Sequence, residues 1–389
     1  MKVAIDARKL HDFGIGTYIR NILRQLARID RQTEYILICQ PRDRELSLSL
    51  GDNFRVEVNS SPPYSFREQI SIPWTLVRTR ANMLHEPHYV LPPLAVCRSV
   101  VTIHDCIHLR FPQYLPNRAA LTYARAQMGS AARRSDRILT VSEASKRDIL
   151  EYFDVPPDKI TVIYNAIDEH FATAPDEQAI HRVAERYQLQ GKFVLYVGNV
   201  KPHKNLERLL DAFHLMRQTP GLENVKLVII GDAISKYASL RRATHRYNLH
   251  KFVRFLGFLP NETLAIVYRL AGVFVFPSLY EGFGLPPLEA MASGTPVVTS
   301  NVSSLPEVVG DAAMLVDPTD PVAIADAMRR VLTDDRLRRE LRTKGLARAR
   351  QFSWESSVRR VREIYGEVAE TAGGTARAAH SDAREEARL

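Results

Sequence analysis

The chain has few cysteines and no long apolar run. Its three cysteines, Cys39, Cys97 and Cys106, are odd in number and lie within apolar sequence. This pattern favours buried thiols in a reducing compartment over a disulfide framework. No apolar stretch approaches the length of a membrane span, and Met1 leads directly into a predicted strand without a signal-peptide pattern. We therefore expect a cytoplasmic protein.

The chain also lacks the patterns of nucleic-acid-binding modules, although it is basic. Its formal net charge is +9, which suits an anionic partner such as nucleic acid, anionic lipid or a diphosphate. Zinc-finger spacing, an RNA-binding aromatic motif and internal repeats are all missing. We expect no nucleic-acid partner, and an anionic membrane and a diphosphate substrate remain as alternatives.

Two series of alternating strands and helices follow one another along the 389 residues. The first series contains strands such as KVAIDA, EYILIC and RILTVS, and the second restarts at KFVLYVGNV and continues through VKLVIIGD, GVFVFPS and TPVVTSN. Strands that alternate with helices predict a parallel sheet covered by helices on both faces. The sequence therefore predicts an α/β protein with two doubly wound, Rossmann-like domains.

Composition sets the expected domain boundaries. Residues 1–170 form the first domain, and the polar, helical segment 171–190 is the linker to a second domain at residues 191–350. A helix is expected at residues 351–370. The tail at residues 371–389 is rich in small and charged residues and poor in core residues, so we expect it to be disordered or a frayed helix.

The stretch SLYEGFGLPPLEAMASGTPVVTSN places two glutamates on either side of a glycine- and proline-rich turn. The turn follows a predicted strand and opens a helix, so the N–H groups of Gly284 and Leu285 form a potential anion site at the helix N-terminus. Glu281 and Glu289 would repel a phosphate and suit neutral hydroxyls instead. A nucleotide sugar has this layout of ribose, diphosphate and sugar. The alternative is that both glutamates are ordinary surface residues near a helix dipole.

Other candidate residues follow predicted strands, where doubly wound sheets bind their ligands. Lys201 and Lys204 in GNVKPHKN can neutralise a diphosphate, unless they belong to a solvated basic loop. His104 ends the strand VVTIH. The loop GIGTY lacks the G-x-G-x-x-G spacing of a dinucleotide site.

Metal ligands are poorly supported by the sequence. His85 and His88 are three residues apart, but Pro87 between them disfavours a helix. His104 and His108 are four apart, but His104 ends a strand. No D-x-D follows a strand, and lysines with a helix N-terminus can neutralise a diphosphate instead. We expect no metal and no cofactor, with the nucleotide sugar as co-substrate.

The segment EGFGLPPLE, with AMASGTPVV and LPEVVGDAAMLVDP after it, resembles the E-x7-E signature of the retaining glycosyltransferases of family 4, group 1. The resemblance extends over most of the chain and is strongest from Gly257 to Pro318. It implies the GT-B fold, in which two Rossmann-like domains face each other across a cleft and a C-terminal helix returns to the first domain. The donor is then expected in the second domain and the acceptor in the first.

The resemblance also implies roles for individual residues. Glu281 holds hydroxyls of the transferred sugar, Glu289 holds the ribose, and His104 lies beside the sugar. Asn199 stands where many members have arginine, so Lys201 is a candidate substitute. The expected catalytic residues are His104, Lys204 and Glu281. The expected donor-binding residues are Gly16, Asn199, Lys201, Phe283, Gly284, Leu285 and Glu289, and Tyr64 and Arg67 are expected on the acceptor side.

The segments KPHKN and SLYEGFGLPPLEAM most resemble those of bacterial mannosyltransferases of surface-polysaccharide assembly. It predicts a metal-independent, retaining transfer of a hexose, with GDP-mannose as the first donor hypothesis and a saccharide, free or lipid-linked, as acceptor. A nucleotide-sugar epimerase of the same fold and a non-catalytic nucleotide-sugar-binding protein are the alternatives. A basic stretch could dock at the inner face of the cytoplasmic membrane or be a solvated helix face; its arginines are Arg118, Arg125, Arg133, Arg134 and Arg137.

Overall fold

The computed structural model describes residues 1–231 and 238–386, with side chains up to residue 370 apart from 232–239. The described chain separates into two compact units. The first comprises Met1–Asn165 with Trp354–Leu389, and the second comprises Ala166–Ser353. Among the described residues, no helix combines the length and apolar character needed to cross a bilayer.

The first unit is built on a parallel sheet with the strand order β3-β2-β1-β4-β5-β6-β7. Its strands are rich in Val, Ile and Leu that are buried on both faces, as expected for a parallel sheet between two helical layers. The strands are β1 (Lys2–Asp6), β2 (Glu34–Cys39), β3 (Phe54–Val58), β4 (Met83–Glu86), β5 (Arg98–Thr102), β6 (Arg137–Thr140) and β7 (Ile160–Val162).

In this unit 3₁₀ turns join β2 to β3, a loop joins β4 to β5, and the other strands are connected by helices. Ser142 caps the last of them by accepting a hydrogen bond from the backbone N–H of Ser145. The helices are α1 (Phe13–Ile29), α2 (Glu68–Thr79), α3 (Ile107–Arg110), α4 (Arg118–Arg134) and α5 (Glu143–Tyr152). Short 3₁₀ turns occupy Pro41–Asp43, Leu46–Ser49, Pro112–Tyr114 and Pro157–Lys159.

The second unit contains a parallel sheet with the order β10-β9-β8-β11-β12-β13. Its strands are β8 (Phe193–Val197), β9 (Lys226–Ile230), β10 (Val253–Gly257), β11 (Val273–Phe276), β12 (Val297–Ser300) and β13 (Ala313–Val316). Its helices are α6 (Glu169–Ala172), α7 (Glu177–Arg186), α8 (Leu206–Met216), α9 (Ala238–Arg246), α10 (Asn261–Leu270), α11 (Leu285–Ala292), α12 (Leu305–Val309), α13 (Pro321–Thr333) and α14 (Asp335–Ala349), with a 3₁₀ turn at Pro202–Lys204. The predicted α/β class with two Rossmann-like sheets is confirmed.

The segment 171–190, predicted as a linker, contains α7 and packs within the second unit. Phe171 is buried edge-on against Tyr268 of α10, and its carbonyl accepts a hydrogen bond from the Arg269 guanidinium. The last helix, α15 (Trp354–Glu386), belongs to the first unit. This helix continues through Glu386, so the backbone of the tail is helical as far as the structure describes it. Residues 387–389 and the side chains from residue 371 onward lie outside the described residues.

Each sheet reverses its strand order at one point. In the first unit the reversal lies between β1 and β4, and in the second it lies between β8 and β11. The loops at the carboxyl ends of the two strands diverge at such a point and leave a crevice, which is where doubly wound sheets bind ligands. The fold therefore predicts a ligand-binding crevice at each of the two reversal points.

Candidate functional site

The reversal point of the second unit brings two distant loops together. The loop with Lys204 follows β8, and the loop with Glu281 follows β11, the neighbouring strand. Two connections hold the loops in place. The backbone N–H of Leu279 donates to the carbonyl of His203 at 2.7 Å, and the buried Asn205 carboxamide donates to the carbonyls of Pro277 and Pro318 at 2.9 and 2.6 Å.

Lys204 and Glu281 form an ion pair at this point. The Lys204 ammonium lies 2.6 Å from Glu281 Oε1, and the two side chains are only 16% and 12% exposed. The ammonium also lies over the ring of Phe276, 5.2 Å from its centroid. The two residues that were predicted to meet the diphosphate and the sugar thus converge on one spot, although 77 positions separate them.

The N-terminus of α11 adjoins this pair. Gly284 precedes the helix with a φ of 107°, in the left-handed region that favours glycine. Pro286 and Pro287 lack N–H groups, so the free donors of the first turn come from Gly284 and Leu285. The structure gives neither N–H a partner within the part of the chain that it describes. These donors and the helix dipole suit an anion.

Two serines of the next loop fix the turn between the glutamates. Ser303 and Ser304 both donate hydroxyl hydrogen bonds to the carbonyl of Glu281, and Ser304 also donates to the carbonyl of Phe283 at 2.7 Å. The Phe283 ring is buried edge-on against Phe352. The side chain of Phe283 therefore serves packing, and a donor contact of this residue would have to involve its backbone.

Glu289 lies one turn into α11 and has a partner that the sequence did not indicate. The Tyr268 hydroxyl, on α10, donates to Glu289 Oε2 at 3.0 Å. Burial raises the pKa of Glu289 to about 7, the Tyr268 hydrogen bond opposes this rise, and the charge of Asp168 adds to it. Tyr268 stands in the apolar pattern of its helix, and no motif distinguishes it from a core tyrosine.

The two remaining donor candidates after β8 differ from Lys204. Lys201 is exposed and makes no ion pair with the described residues. Asn199 is half-buried, and its carbonyl lies 3.5 Å from the Tyr196 hydroxyl. Neither side chain contacts Glu281, so the structure brings together Lys204 with Glu281 but not Lys201 or Asn199 with them.

His104 occupies the loop after β5 in the first unit. Its Nε2 donates to the carbonyl of Pro87 at 3.0 Å, which leaves Nδ1 as an acceptor. Its ring packs edge-on against Tyr18 with centroids 4.9 Å apart. Burial lowers the pKa of His104 below its ordinary value. The imidazole is therefore neutral at physiological pH and offers a lone pair for a hydroxyl.

Gly16 lies in the first turn of α1 and faces its own chain. A Cβ at this position would come within 2.4 Å of the Leu10 carbonyl oxygen, whereas a Cβ at Gly14 would meet nothing within 4 Å. Close packing against Leu10 is therefore sufficient to require glycine at position 16.

The two residues predicted on the acceptor side differ in surroundings. Tyr64 has a φ of 64°, which is unusual for an aromatic residue. Its ring lies 4.5 Å from the Lys9 ammonium and 5.8 Å from the ring of Tyr89. Arg67 is exposed at the start of α2. The structure does not bring their side chains together.

A buried charged cluster lies at the reversal point of the first unit. Asp6 is paired with Arg8, and candidate ligand atoms of Asp6, Glu86 and His88 lie within 4.8 Å of one another. Burial, and then the Asp6 carboxylate, raises the pKa of Glu86 well above its ordinary value. His88 Nδ1 accepts from the Val90 N–H, so Nε2 carries the proton and lacks the lone pair that a metal needs.

The pair of His85 and His88 that was considered for zinc is not supported either. Both nitrogens of His85 are occupied, one by the Tyr365 hydroxyl at 2.6 Å and the other by the Thr102 hydroxyl at 2.9 Å. Burial lowers the pKa of His85 to about 3, so this imidazole is neutral. His85 therefore connects α15 to the first sheet.

Comparisons with known proteins identify the family. Residues 177–348 match the family model described as glycosyl transferases group 1, and residues 14–171 match the model of glycosyltransferase family 4. The O-antigen chain mannosyltransferase B of Escherichia coli is 36% identical over 75% of this chain and 76% of that protein. The serotype-specific mannosyltransferase WbdA of Escherichia coli is 34% identical over 58% of this chain and 28% of that protein.

Solved structures share the fold at low identity. Sucrose-phosphate synthase from Thermosynechococcus elongatus has a TM-score of 0.76 at 20% identity and covers 95% of this chain and 99% of that one. Anabaena HepE in complex with UDP and glucose has a TM-score of 0.76 at 19% identity and covers 94% of this chain and 100% of that one.

The two parallel, doubly wound sheets and the similarity to these solved structures show the GT-B fold of glycosyltransferases. The chain belongs to glycosyltransferase family 4, group 1, and is a glycosyltransferase.

Proposed function

We propose that the protein transfers a mannosyl group from GDP-mannose to a saccharide hydroxyl, with retention of anomeric configuration and without a divalent metal. The observation that carries the proposal is the convergence of Lys204 and Glu281 beside the N-terminus of α11. Mannose is supported by the names of the Escherichia coli relatives, and an O-antigen-type saccharide as acceptor is supported by the name of the first.

In the proposed reaction, the bond between the anomeric carbon and the diphosphate oxygen breaks and a bond to the acceptor oxygen forms on the same face. The acceptor proton passes to the departing diphosphate. Lys204 and the N–H groups of Gly284 and Leu285 stabilise the growing charge, and one such donor is worth about 2.7–4 kcal/mol in related oxyanion sites.

The other residues bind hydroxyls. Glu281 accepts from the transferred sugar once the diphosphate has drawn Lys204 away from it. Glu289 accepts from the ribose, with Tyr268 holding its carboxyl group in place. In the first unit, His104 offers Nδ1 as an acceptor for a hydroxyl.

The donor and the stereochemistry are tested together. Purified protein is incubated with GDP-mannose, UDP-glucose or UDP-galactose and a mannose-terminated acceptor, and the product is examined by NMR. Transfer from GDP-mannose alone, with an α-linked product from the α-linked donor, is expected. A β-linked product, or transfer only from a uridine nucleotide, would contradict the proposal. Isomerised donor formed without acceptor would instead favour an epimerase.

Metal independence has its own test. Protein dialysed against EDTA is expected to keep its turnover, because Lys204 and the α11 N-terminus neutralise the leaving diphosphate. The control is the same protein with added Mg²⁺ or Mn²⁺. Activity that appears only after the metal is restored would contradict this account of leaving-group stabilisation.

A further inference from the structure

Helix α2 presents a large apolar surface to solvent. Phe66, in the turn before the helix, is 83% exposed, and Ile70, Trp74 and Val77 are 58%, 62% and 60% exposed. Within the helix, spacings of four and three residues place Ile70, Trp74 and Val77 on one face, and Phe66 precedes Ile70 by four residues. Single exposed apolar residues are ordinary, but a contiguous group of large ones marks an interaction surface.

The opposite face of α2 packs into the first unit. Ile72 and Leu76 are part of its hydrophobic core. The buried Glu68 carboxylate pairs with Arg8 at 2.8 Å, and the Ser71 hydroxyl accepts from the Asn59 carboxamide at 3.0 Å. The helix therefore cannot rotate to bury its apolar face without breaking this ion pair and emptying part of the core.

The charges around the apolar face indicate its partner. Between residues 66 and 80, the exposed side chains other than the four apolar ones are Arg67, Arg78 and Arg80. Arg78 stacks over the Trp74 ring, 4.8 Å from its centroid, and pairs with Glu57. The acidic residue of the segment, Glu68, is buried. Apolar side chains with a tryptophan and flanking arginines suit the interface of an anionic bilayer.

A second copy of the chain suits this face less well. A two-fold contact would place the arginines of one copy against the same arginines of the other, with no exposed carboxylate in the segment to offset them. Helix α4 also suits a bilayer less well. Its apolar residues Ala124, Met128 and Ala131 are buried, and Arg134 is bound to backbone carbonyls of the first unit.

We propose that the α2 face, defined as Phe66, Ile70, Trp74 and Val77, docks the protein on an anionic membrane surface with its flanking arginines at the lipid phosphates. Each arginine near such a surface adds attraction that salt weakens. This inference does not depend on the proposed donor or reaction.

The full chain is tested with vesicles of phosphatidylcholine alone and of phosphatidylcholine mixed with phosphatidylglycerol in equal parts. Co-sedimentation with the anionic vesicles only, declining with added salt, is expected. Trp74 is exposed and the other tryptophan, Trp354, is buried, so a blue shift of the emission on binding should report Trp74. No binding, or equal binding to both vesicles, would overturn the proposal.

Matched variants locate the surface. Trp74→Ser should reduce the partition coefficient about 10-fold or more and Val77→Ser about 3- to 10-fold, because each loses buried apolar area at the bilayer. Val322→Ser, a valine of the second unit with 64% exposure, should leave it unchanged. Thermal melting checks that all three variants are folded.

Two outcomes would assign the surface differently. Vesicle binding that survives Trp74→Ser but is lost on replacing Arg118, Arg125 and Arg133 would overturn the α2 assignment in favour of α4. Light scattering that detects a dimer abolished by Trp74→Ser, without any vesicle binding, would identify the face as a contact between copies and overturn the membrane proposal.

Discussion

At the scale of single residues, the proposed chemistry of the second unit depends on the Lys204–Glu281 ion pair. In the structure each charge satisfies the other in a largely buried setting. In the proposed reaction, a sugar diphosphate exchanges this pair for two new contacts, with the ammonium on phosphate and the carboxylate on hydroxyls. The pair therefore orients both side chains at the reversal point of the second sheet.

Lys204→Ala is expected to lower turnover by about 10²–10³, because the ammonium matters most when charge grows on the departing oxygen. Lys201→Ala is the matched control, since Lys201 is exposed and unpaired in the described structure, and it should cost less. Steady-state kinetics of the two single variants and the double variant provide the measurement. Coupled effects would show that the lysines share one phosphate, and unchanged kinetics in Lys204→Ala would place this loop outside the active site.

Glu281→Gln should reduce turnover by roughly 10- to 150-fold while the affinity for free nucleoside diphosphate changes little. The change removes a charge-assisted hydrogen bond to the sugar, worth about 1.5–3 kcal/mol, and the free nucleotide has no sugar at this position. Calorimetry with the nucleotide and a transfer assay separate the two effects. Equal losses in both would assign Glu281 to the nucleotide instead.

Glu289 should make stability depend on pH. The pKa of Glu289 rises from 4.5 to about 7 on folding. Its contribution to the free energy of unfolding is therefore complete below the unfolded-state pKa and is lost as the pH rises through 7. Relative to the wild type, Glu289→Gln should therefore gain about 1–3 kcal/mol of unfolding free energy between about pH 5 and pH 8. Urea unfolding at several pH values measures this difference.

Tyr268→Phe is the control for the Glu289 prediction. The Tyr268 hydrogen bond lowers the pKa of Glu289, so its loss should move the pH-dependent fall in stability to higher pH. A difference between wild type and Glu289→Gln that stays constant with pH would mean that the carboxyl group is ionised throughout.

At the scale of elements, helix α1 contains two glycines at which substitution by alanine should affect stability in opposite ways. A Cβ at Gly16 would lie 2.4 Å from the Leu10 carbonyl, and one at Gly14 would meet nothing. Gly16→Ala should therefore destabilise the first unit by about 1–3 kcal/mol, whereas Gly14→Ala should be neutral or stabilise it by up to about 1 kcal/mol. Chemical unfolding of both variants tests this, and equal effects would contradict the packing argument.

The sequence predicted elements well where local pattern decides them. The apolar run of β11, the prolines of α11 and the capping Ser142 each specify structure through neighbouring residues. The sequence placed the lysine loop and the glutamate loop at strand ends, but parallel strands with crossovers allow several orders, so their adjacency is known only from the structure. Helices α13 and α14 were not assigned from the sequence.

Pairings across elements could not be predicted in the same way. Tyr268 reaches Glu289 from another helix, and Asn205 binds the carbonyls of Pro277 and Pro318 far along the chain. These contacts depend on tertiary geometry and have no sequence period. The family resemblance implies a ligand beside Gly16, and this stays a prediction; the contact of this position with the Leu10 carbonyl could not be read from the sequence.

At the scale of the whole molecule, α15 belongs to the first unit although it follows the second unit in the sequence. Tyr365 binds His85, the Ser357 hydroxyl donates to the Tyr164 carbonyl, and Arg362 pairs with Asp30. The buried side chains of α15 in the described part, including Val358, Val361 and Ile364, face this unit. The first unit is therefore discontinuous in sequence, and the second is an uninterrupted insertion.

Expressed alone, residues 166–353 should fold cooperatively, because their sheet and helices form one compact unit. Residues 1–165 should not, because without α15 the apolar surface around Tyr18 and His85 is uncovered. Circular dichroism with urea titration of the two fragments provides the measurement. A stable, cooperative fragment 1–165 would show that α15 is dispensable for the first unit.

The discontinuity of the first unit also imposes an order on its biosynthesis. A ribosome releases the strands of the first sheet early, but the helix that completes them emerges only after residue 354. At typical translation rates this interval lasts roughly 10–40 s. The unit that comes second in the chain can therefore finish folding first, while the nascent first unit waits with exposed apolar surface and is a natural client for ribosome-associated chaperones.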